Sequence, residues 1–194
     1  MKSTPVVLDT SIFVNPDSRR FFGRNPRHAL LSFLKTADAQ KKLNYYMPPS
    51  VFEELMKFIE PPLTPEELVP IRKKPPSTYQ SALPALFFYE LVESLRLRVN
   101  KGLRIAEKYT RKGLKAESDR KKEEYLIKHL REEYRVALRE GILDSKEDFD
   151  LILLAKELNA LLATSDHGLM EWAHKLGIVC LGPEELHARV EKAK

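Results

Sequence analysis

The chain has 194 residues, of which 43% are hydrophobic and 31% charged, so it can bury a full core and is too apolar for long disorder. Its net charge of +5 and pI near 9.2 point weakly to a polyanionic partner. There is no apolar run of the roughly 18 residues that a membrane helix needs, and no signal-peptide pattern, so we expect a cytoplasmic protein with no membrane partner.

Cysteine and histidine are poorly placed for metal or nucleophilic chemistry. The single cysteine, Cys180, stands among apolar residues and is expected to be a buried small hydrophobe. The five histidines show no paired zinc spacing. Any metal should therefore be held by oxygen ligands.

The first part of the chain alternates strands and helices. A short buried strand, Val6 to Leu8, ends at Asp9 and passes into a turn. A helix is predicted from about 26 to 41, a strand at NYYM, and a helix at PPSVFEELMKFIE with proline in its first turn. Two proline pairs then bracket a short helix start at TPEEL, and Pro75 marks the start of an insertion.

Two long helices are predicted in the insertion. The first runs from about 81 to 112 and ends at Gly113 as a cap, and the second runs from about 118 to 140. The first carries an apolar stripe at helical spacing, formed by Phe87, Leu91, Leu95, Val99, Leu103 and Ala106. The second places Leu126, Leu130, Tyr134 and Ala137 on one face. Together they predict an antiparallel helical hairpin.

After residue 141 the alternation returns. Helices are predicted at EDFDLILLAKEL, SDHGLMEWAHKL and PEELHARVEK, with strands at ALLAT and GIVCL between them. This order indicates a three-layer α/β fold with a mostly parallel central sheet. The predicted organisation is a discontinuous α/β domain, residues 1–75 and 141–194, interrupted by a helical hairpin at 76–140.

Several aspartates are predicted to meet at one edge of that sheet. Asp9 and Asp166 closely follow strands, while Asp144, Asp148 and Asp150 surround a helix start. Adjacent carboxylates raise one another's pKa, a conflict that a hard divalent cation removes. Mg²⁺, or alternatively Mn²⁺, is the expected occupant, and one or two such ions can activate water for phosphodiester cleavage.

Each acid also has a purely structural interpretation. Asp166 follows Ser165 at a helix start, Ser145 to Asp148 resembles a capping box, and Asp144 suits a turn. Glu53 and Glu54 stand in the first turns of a helix, where acids favour the macrodipole. A functional site is favoured over these structural interpretations because the acids are predicted to converge on one edge of the sheet.

The strings VLDTSIFV, PPSVFEEL, DFDLILLA and LLATSD are similar in order and spacing to the acidic motifs of PIN-domain nucleases. More closely, DTSIFVNP, the helical insertion and GILDSKEDFDLILLAKEL with TSD resemble the minimal protein-only ribonuclease P family, the homologs of Aquifex RNase P. The resemblance covers nearly the whole chain. It implies a PIN-like fold and a nuclease that removes 5′ leaders from precursor tRNA without an RNA subunit, leaving a 5′-phosphate.

Carried over position by position, the resemblance implies catalytic and metal-binding roles for Asp9, Asp144, Asp148, Asp150 and Asp166. Glu54 resembles a further metal-binding acid of PIN domains, although adjacent Glu53 leaves the assignment open. His167 follows the last acid and is either a substrate contact or an exposed helix residue.

Positive charge is concentrated in the insertion. From Arg96 to Arg139 there are 15 Lys and Arg against 7 Asp and Glu in a chain of net charge +5, so the remainder is mildly acidic. The predicted RNA-binding residues are Lys101, Arg104, Lys108, Arg111, Lys112, Lys121, Lys128, Arg131 and Arg135. A solvated charged face is the alternative.

The resemblance implies that the hairpin contacts the tRNA elbow and that subunits form a large homo-oligomer built from dimers. Phe87, Phe88, Tyr89 and Leu91 are candidate interface residues, or else core residues.

Two other functions stay open from the residues alone. One is a PIN endoribonuclease of other specificity, toxin-like or rRNA-processing, and the other is a non-catalytic RNA-binding module. A haloacid-dehalogenase phosphatase is disfavoured because DTS lacks the second aspartate.

Overall fold

The computed structural model describes residues 3–39, 42–80, 82–115, 120–139, 143 and 145–192, the side chains of 115, 120, 121 and 139 excepted. The chain forms two compact units. One comprises residues 1–83 and 143–194, and the other comprises residues 84–142.

The helices and strands alternate through the first unit and give way to two long helices in the second. In chain order they are β1 (Thr4–Leu8), α1 (Ser11–Val14), α2 (Pro16–Arg19), α3 (Pro26–Ala39), β2 (Leu43–Met47), α4 (Pro49–Met56), β3 (Ile71–Lys73), α5 (Ala85–Lys115), α6 (Arg120–Arg139), α7 (Lys146–Leu158), β4 (Leu161–Ala163), α8 (His167–Lys175), β5 (Cys180–Leu181) and α9 (Pro183–Glu191).

The strands of the first unit form one parallel sheet in the order β3-β2-β1-β4-β5. In the central strand β1, consecutive residues Val6, Val7 and Leu8 are all fully buried. Because neighbouring side chains of a strand point to opposite faces, both faces of the sheet are covered. The predicted α/β fold with a mostly parallel central sheet is confirmed.

Three short elements differ from the prediction. The turn expected after Asp9 contains two single-turn helices, α1 and α2. The TPEEL segment does not continue as a helix, although Thr64 and Glu67 exchange backbone-to-side-chain hydrogen bonds as in a capping box. The edge strand β3 was not predicted, because its three residues, IRK, are too short and too polar to show an alternating pattern.

The second unit is the predicted antiparallel helical hairpin. Early residues of α5 contact late residues of α6: the Arg98 guanidinium donates to the Leu138 carbonyl, and a Cβ on Gly102 would meet the Tyr134 ring. Further along α5, Ile105 and Tyr109 pack with Ala137, and Leu126 and Leu130 lie against them.

The apolar stripe that the sequence shows along α5 is not the face that packs against α6. Phe87 is buried, but the side chains of Leu95, Val99 and Leu103 are 50%, 68% and 58% exposed. The face toward α6 is instead the one that carries Ile105 and Tyr109. Helix α5 has two apolar stripes that both fit a 3.6-residue period, and only the position of its neighbour selects one of them.

Gly113 was also misassigned. It was predicted to cap the first long helix, but α5 continues to Lys115. Glycine is common after a helix end, yet it is also tolerated inside a long helix at a cost of about 1 kcal/mol.

Candidate active site

Asp9 is the most tightly held carboxylate of the sheet edge. It follows the last residue of β1, and its backbone N–H donates to the Ala163 carbonyl of β4, 3.0 Å away. The hydroxyls of Ser11 and Thr164 donate to Asp9 Oδ2 at 2.5 and 2.6 Å, whereas Thr10 donates to Oδ1 at 3.3 Å. Oδ2 therefore takes two short hydrogen bonds, whereas the bond from Thr10 to Oδ1 is the longest of the three.

The site lies where the strand order reverses. From β1 the chain proceeds to β2 on one side, whereas β4 flanks β1 on the other. Crevices at such a reversal, beyond the carboxyl ends of parallel strands, are the usual ligand site of open α/β sheets. The Ser11 hydroxyl spans the reversal, since it accepts a hydrogen bond from the Ser165 N–H at 2.9 Å.

Asp166 fulfils its structural interpretation and still belongs to the site. Its Oδ1 accepts from the Leu169 N–H at 3.0 Å, which caps α8. Its own N–H donates to the Thr164 hydroxyl at 3.0 Å. Although Asp166 is exposed, its charge contributes to the raised pKa of Asp9. Asp166 therefore caps α8 and at the same time acts electrostatically on Asp9.

Helix α4 contributes one face to the site. Glu54 interacts electrostatically with Asp9 and Glu147, and its carboxylate is also influenced by the Thr10 side chain. Its neighbour Glu53 is exposed. Of these two neighbours, Glu54 is therefore the one that interacts with Asp9.

Helix α7 supplies two further acids. Ser145 caps it by accepting from the Asp148 N–H at 3.0 Å, as the capping interpretation predicted. Asp148 is half-buried in the first turn. Asp150 is buried, and its Oδ2 accepts from the Ser50 hydroxyl of α4 at 2.6 Å. Since Ser50 and Glu54 are one turn apart on α4, Asp150 joins the side of α4 that faces Asp9.

Burial and neighbouring negative charges make ionisation of Asp9 and Glu54 unfavourable. The pKa of Asp9 is raised mainly by burial and further by Asp166, although its bonds to Ser11 and Thr164 oppose the shift. The pKa of Glu54 is raised by burial, by Asp9 and by Glu147, against the opposing effect of Lys57 and Thr10. A nearby positive charge would lower the pKa of both carboxyl groups and so favour their ionised forms.

The donor chemistry therefore fits a hard divalent cation, because the candidate ligands are all carboxylates. Among the residues that the structure describes, no group of three or more His, Cys, Asp or Glu is arranged to hold a metal ion. The predicted acid Asp144 lies outside the described residues.

The structure adds hydroxyl residues that the sequence did not single out. Ser11 and Thr164 fix Asp9, and Ser50 fixes Asp150. The first two stand in the DTS and TSD strings, where hydroxyls beside acids are a usable signal. Ser50 gives no such signal, because its partner is 100 residues away.

The structure also describes the surroundings of His167 and Cys180, the two other residues that the sequence singled out. His167 begins α8 and is exposed, in line with the helix-surface alternative. Cys180 is only partly buried, and burial raises the pKa of its thiol to about 11, so it is protonated at neutral pH.

In the second unit, the predicted RNA-binding residues with described side chains are exposed. Lys101, Arg104 and Lys108 line a hollow of about 390 Å³, and Lys128, Arg131 and Arg135 line another of about 450 Å³. Lys108 is not a free cation, since its Nζ lies 2.6 Å from Glu133. Lys112 lies over the Tyr109 ring at 4.9 Å. The side chain of Lys121 lies outside the described residues.

Within the described part of the chain, no helix is both long and apolar enough to span a membrane.

Comparison with known proteins agrees with this geometry. A family model described as PINc domain ribonuclease matches residues 5–193. A protein of Thermodesulfovibrio yellowstonii named RNA-free ribonuclease P is 50% identical over 95% of this chain and 92% of its own length. Proteins of the same name from Pyrococcus abyssi and Nitrosococcus oceani are 47% and 39% identical, over 97% and 95% of this chain and 94% and 93% of theirs. The chain is therefore a PIN-domain ribonuclease and belongs to the RNA-free ribonuclease P family.

Proposed function

We propose that this protein removes the 5′ leader from precursor tRNA and needs no RNA subunit to do so. The observation that carries the proposal is the Asp9 carboxylate, fixed by Ser11 and Thr164 at the reversal of the sheet, with Glu54 and Asp166 close enough to perturb it. A cytoplasmic location, expected from the sequence, is part of the proposal.

The reaction is a hydrolysis. Water adds to the phosphorus at the junction of leader and tRNA, and the P–O3′ bond breaks. The leader departs with a 3′-hydroxyl, and the mature end keeps the 5′-phosphate. No nucleophilic side chain is needed, which suits a site built from carboxylates.

We propose Mg²⁺ as the cofactor, with Mn²⁺ as a substitute. Asp9, Glu54, Asp150 and Asp166 would hold it, together with Asp148 and Asp144. When bound, the ion would lower the pKa of water and stabilise the leaving oxygen. The hydroxyls of Ser11 and Thr164 hold the Asp9 carboxylate in place through Oδ2. Removal of divalent ions with EDTA is expected to abolish cleavage, and added Mg²⁺ to restore it.

We assign RNA binding to the second unit. Arg104, Arg111, Lys128, Arg131 and Arg135 are exposed, and each has no ion-pair partner among the described residues. Cations on a rigid hairpin can follow the backbone of a folded RNA without reading its sequence. Lys108 contributes less, because Glu133 already neutralises it.

We also propose that the protein works as a homo-oligomer built from dimers. Phe88, Val92, Leu95, Val99 and Leu103 follow one another at spacings of three or four residues along α5, and all are at least half exposed. A continuous apolar stripe of this kind on a helix marks an interaction surface. A second copy of the same stripe is a partner of matching chemistry.

The test of the enzymatic proposal uses 5′-labelled precursor tRNA and nuclease-treated, RNA-free protein in Mg²⁺. We expect a single cut at the mature 5′ end that leaves a 5′-phosphate. Asp9→Asn should abolish it, and Asp17→Asn, at an exposed acid of α2, should not. Scattered cuts would indicate a PIN nuclease of other specificity, and metal-independent binding without cleavage would indicate an RNA-binding module.

A further inference from the structure

The loop between α2 and α3 forms a small basic pocket in the first unit. Residues 16–28 carry four arginines and a single acid, Asp17. A pocket of about 360 Å³ is lined by Pro16, Arg19, Arg20, Phe21, Phe22, Gly23 and Arg24. Its lining thus combines three guanidinium groups with aromatic rings and contains no acidic or amide side chain.

The loop is held in place by contacts that do not use its exposed groups. Phe22 is buried, and its ring lies 6.0 Å from those of Phe13 and Phe33 and 5.3 Å from His187. The Arg19 guanidinium donates to the Val14 carbonyl at 3.0 Å. The pocket is therefore largely pre-formed and loses little conformational entropy on binding.

Gly23 adds to this rigidity. A Cβ at this position would lie 2.6 Å from the Ala29 backbone nitrogen and 2.5 Å from His28 Nδ1. The loop therefore packs against the first turn of α3 more closely than any other residue would allow.

The remaining side chains of the pocket are suited to a nucleotide chain. Arg20 and Arg24 have no ion-pair partner among the described residues, and Arg24 is exposed. Phe21, unlike its buried neighbour, is half-exposed, and the Arg20 guanidinium lies 5.2 Å from its ring centre. Aromatic faces that stack bases, flanked by arginines that bind phosphates, are the usual device for single-stranded RNA, whereas a duplex offers no exposed base face.

The position of the pocket in the chain limits its distance from the cut. Only α1, α2 and short connections separate Asp9 from Arg19. Backbone dimensions therefore place the two within at most about 25 Å. An unpaired strand attached at the scissile phosphate can span this distance with a few nucleotides.

We propose that Arg20, Phe21 and Arg24 bind the single-stranded 5′ leader upstream of the cut. This rests on the proposed function. Leaders differ in sequence from one precursor to another, and the pocket offers only contacts that every nucleotide can make. A site for the constant 3′ end of tRNA would be expected to carry hydrogen-bond donors and acceptors that read base edges. Among the described residues that line this pocket, only the arginines have side chains that could form such hydrogen bonds.

The test compares precursors that carry leaders of one and about ten nucleotides with leaderless mature tRNA. In the Arg20→Ala/Arg24→Ala variant we expect the Kd for the long-leader precursor to rise about 10-fold and its salt-dependence slope to fall by about 1.4, which is about 0.7 for each phosphate that is no longer neutralised. Affinity for the short-leader precursor and for mature tRNA should stay unchanged. Phe21→Leu, which keeps apolar volume but removes the ring, should also weaken only the long-leader complex.

The matched control is Lys35→Ala/Lys192→Ala, which removes two positive charges from other parts of the first unit. It should behave as wild type. The proposal would be overturned if the arginine double variant bound mature tRNA as much more weakly as it bound the long-leader precursor. It would also be overturned if the affinity for the long-leader precursor did not fall, or if the loss of affinity depended on the 3′ end of the RNA. Because binding is measured without cleavage, failure of the wild-type protein to cut at the mature 5′ end would reject the proposed function separately.

Discussion

At the residue scale, adjacent side chains in this chain often have opposite roles. Glu53 and Glu54 are neighbours on one helix, yet only Glu54 interacts with Asp9. Phe21 and Phe22 are neighbours in one loop, yet only Phe22 is buried. Such pairs supply well-matched controls, because the two members are the same type of residue at neighbouring positions in one helix or loop.

Glu54→Gln should lower the cleavage rate by at least about 10-fold, since it removes a carboxylate that faces Asp9. Metal-free protein should not lose stability, because the change removes a charge that burial and Asp9 disfavour. Rates are measured on precursor tRNA under single-turnover conditions. Glu53→Gln is the control, and equal loss in both variants would contradict the assignment.

Ser50→Ala should act on the site through Asp150. It leaves buried Asp150 Oδ2 without its donor at 2.6 Å, so the carboxylate is less well oriented. We expect the Mg²⁺ concentration for half-maximal cleavage to rise about 10-fold. Ser50→Thr keeps the hydroxyl and should restore it. An unchanged Mg²⁺ requirement in the alanine variant would show that Asp150 does not depend on Ser50.

At the scale of elements, an ion pair joins the end of the β3 segment to α7. The Lys74 Nζ lies 2.6 Å from Glu157, which also accepts from the Ser77 N–H at 2.7 Å. These bonds lower the pKa of Glu157 below its ordinary 4.5. The pair thus ties the edge of the sheet to the helix that carries Asp148 and Asp150.

Glu157→Gln should destabilise the protein by about 1 kcal/mol at pH 7. Because the folded pKa is lowered, the contribution is complete above the ordinary value of 4.5 and is lost as the pH falls through the folded pKa. Urea unfolding across this range checks the trend. Glu171→Gln, at an exposed position of α8, should show no such pH dependence.

The two glycines inside α5 should respond oppositely to alanine. At Gly113 a Cβ meets nothing within 4 Å, so Gly113→Ala should stabilise the second unit by up to about 1 kcal/mol. At Gly102 a Cβ would lie 2.6 Å from the Tyr134 ring, so the same gain should be cancelled or reversed. Amide hydrogen exchange in α5 and α6 measures both. Equal stabilisation would show that the Tyr134 ring moves aside freely.

At the scale of the whole molecule, the exposed stripe of α5 predicts self-association. Leu95→Glu/Val99→Glu should reduce the molar mass in solution while the far-ultraviolet spectrum is unchanged, because both side chains are at least half exposed within one chain. Analytical ultracentrifugation gives the mass. Val179→Glu, at an exposed position of the first unit, is the control, and an unchanged mass in the double variant would exclude this stripe as the interface.

The sequence by itself determined the alternation of strands and helices, the parallel sheet, the helical hairpin and the placement of Asp9 and Asp166 after strands. These follow from local patterns: buried runs, helical periodicity, caps, and carboxylates at the ends of strands. The family was also recognisable from short strings in order along the chain. The comparisons confirm it over residues 5–193.

Only the tertiary structure decided which of these residues act together. The order β3-β2-β1-β4-β5 brings Asp9 beside Thr164, and packing of α4 near α7 turns Ser50 toward Asp150 and Glu54 toward Asp9. The position of α6 selects which apolar stripe of α5 is buried and leaves the other exposed. Periodicity specifies that a helix has an apolar face, but contacts between residues far apart in sequence decide what that face meets.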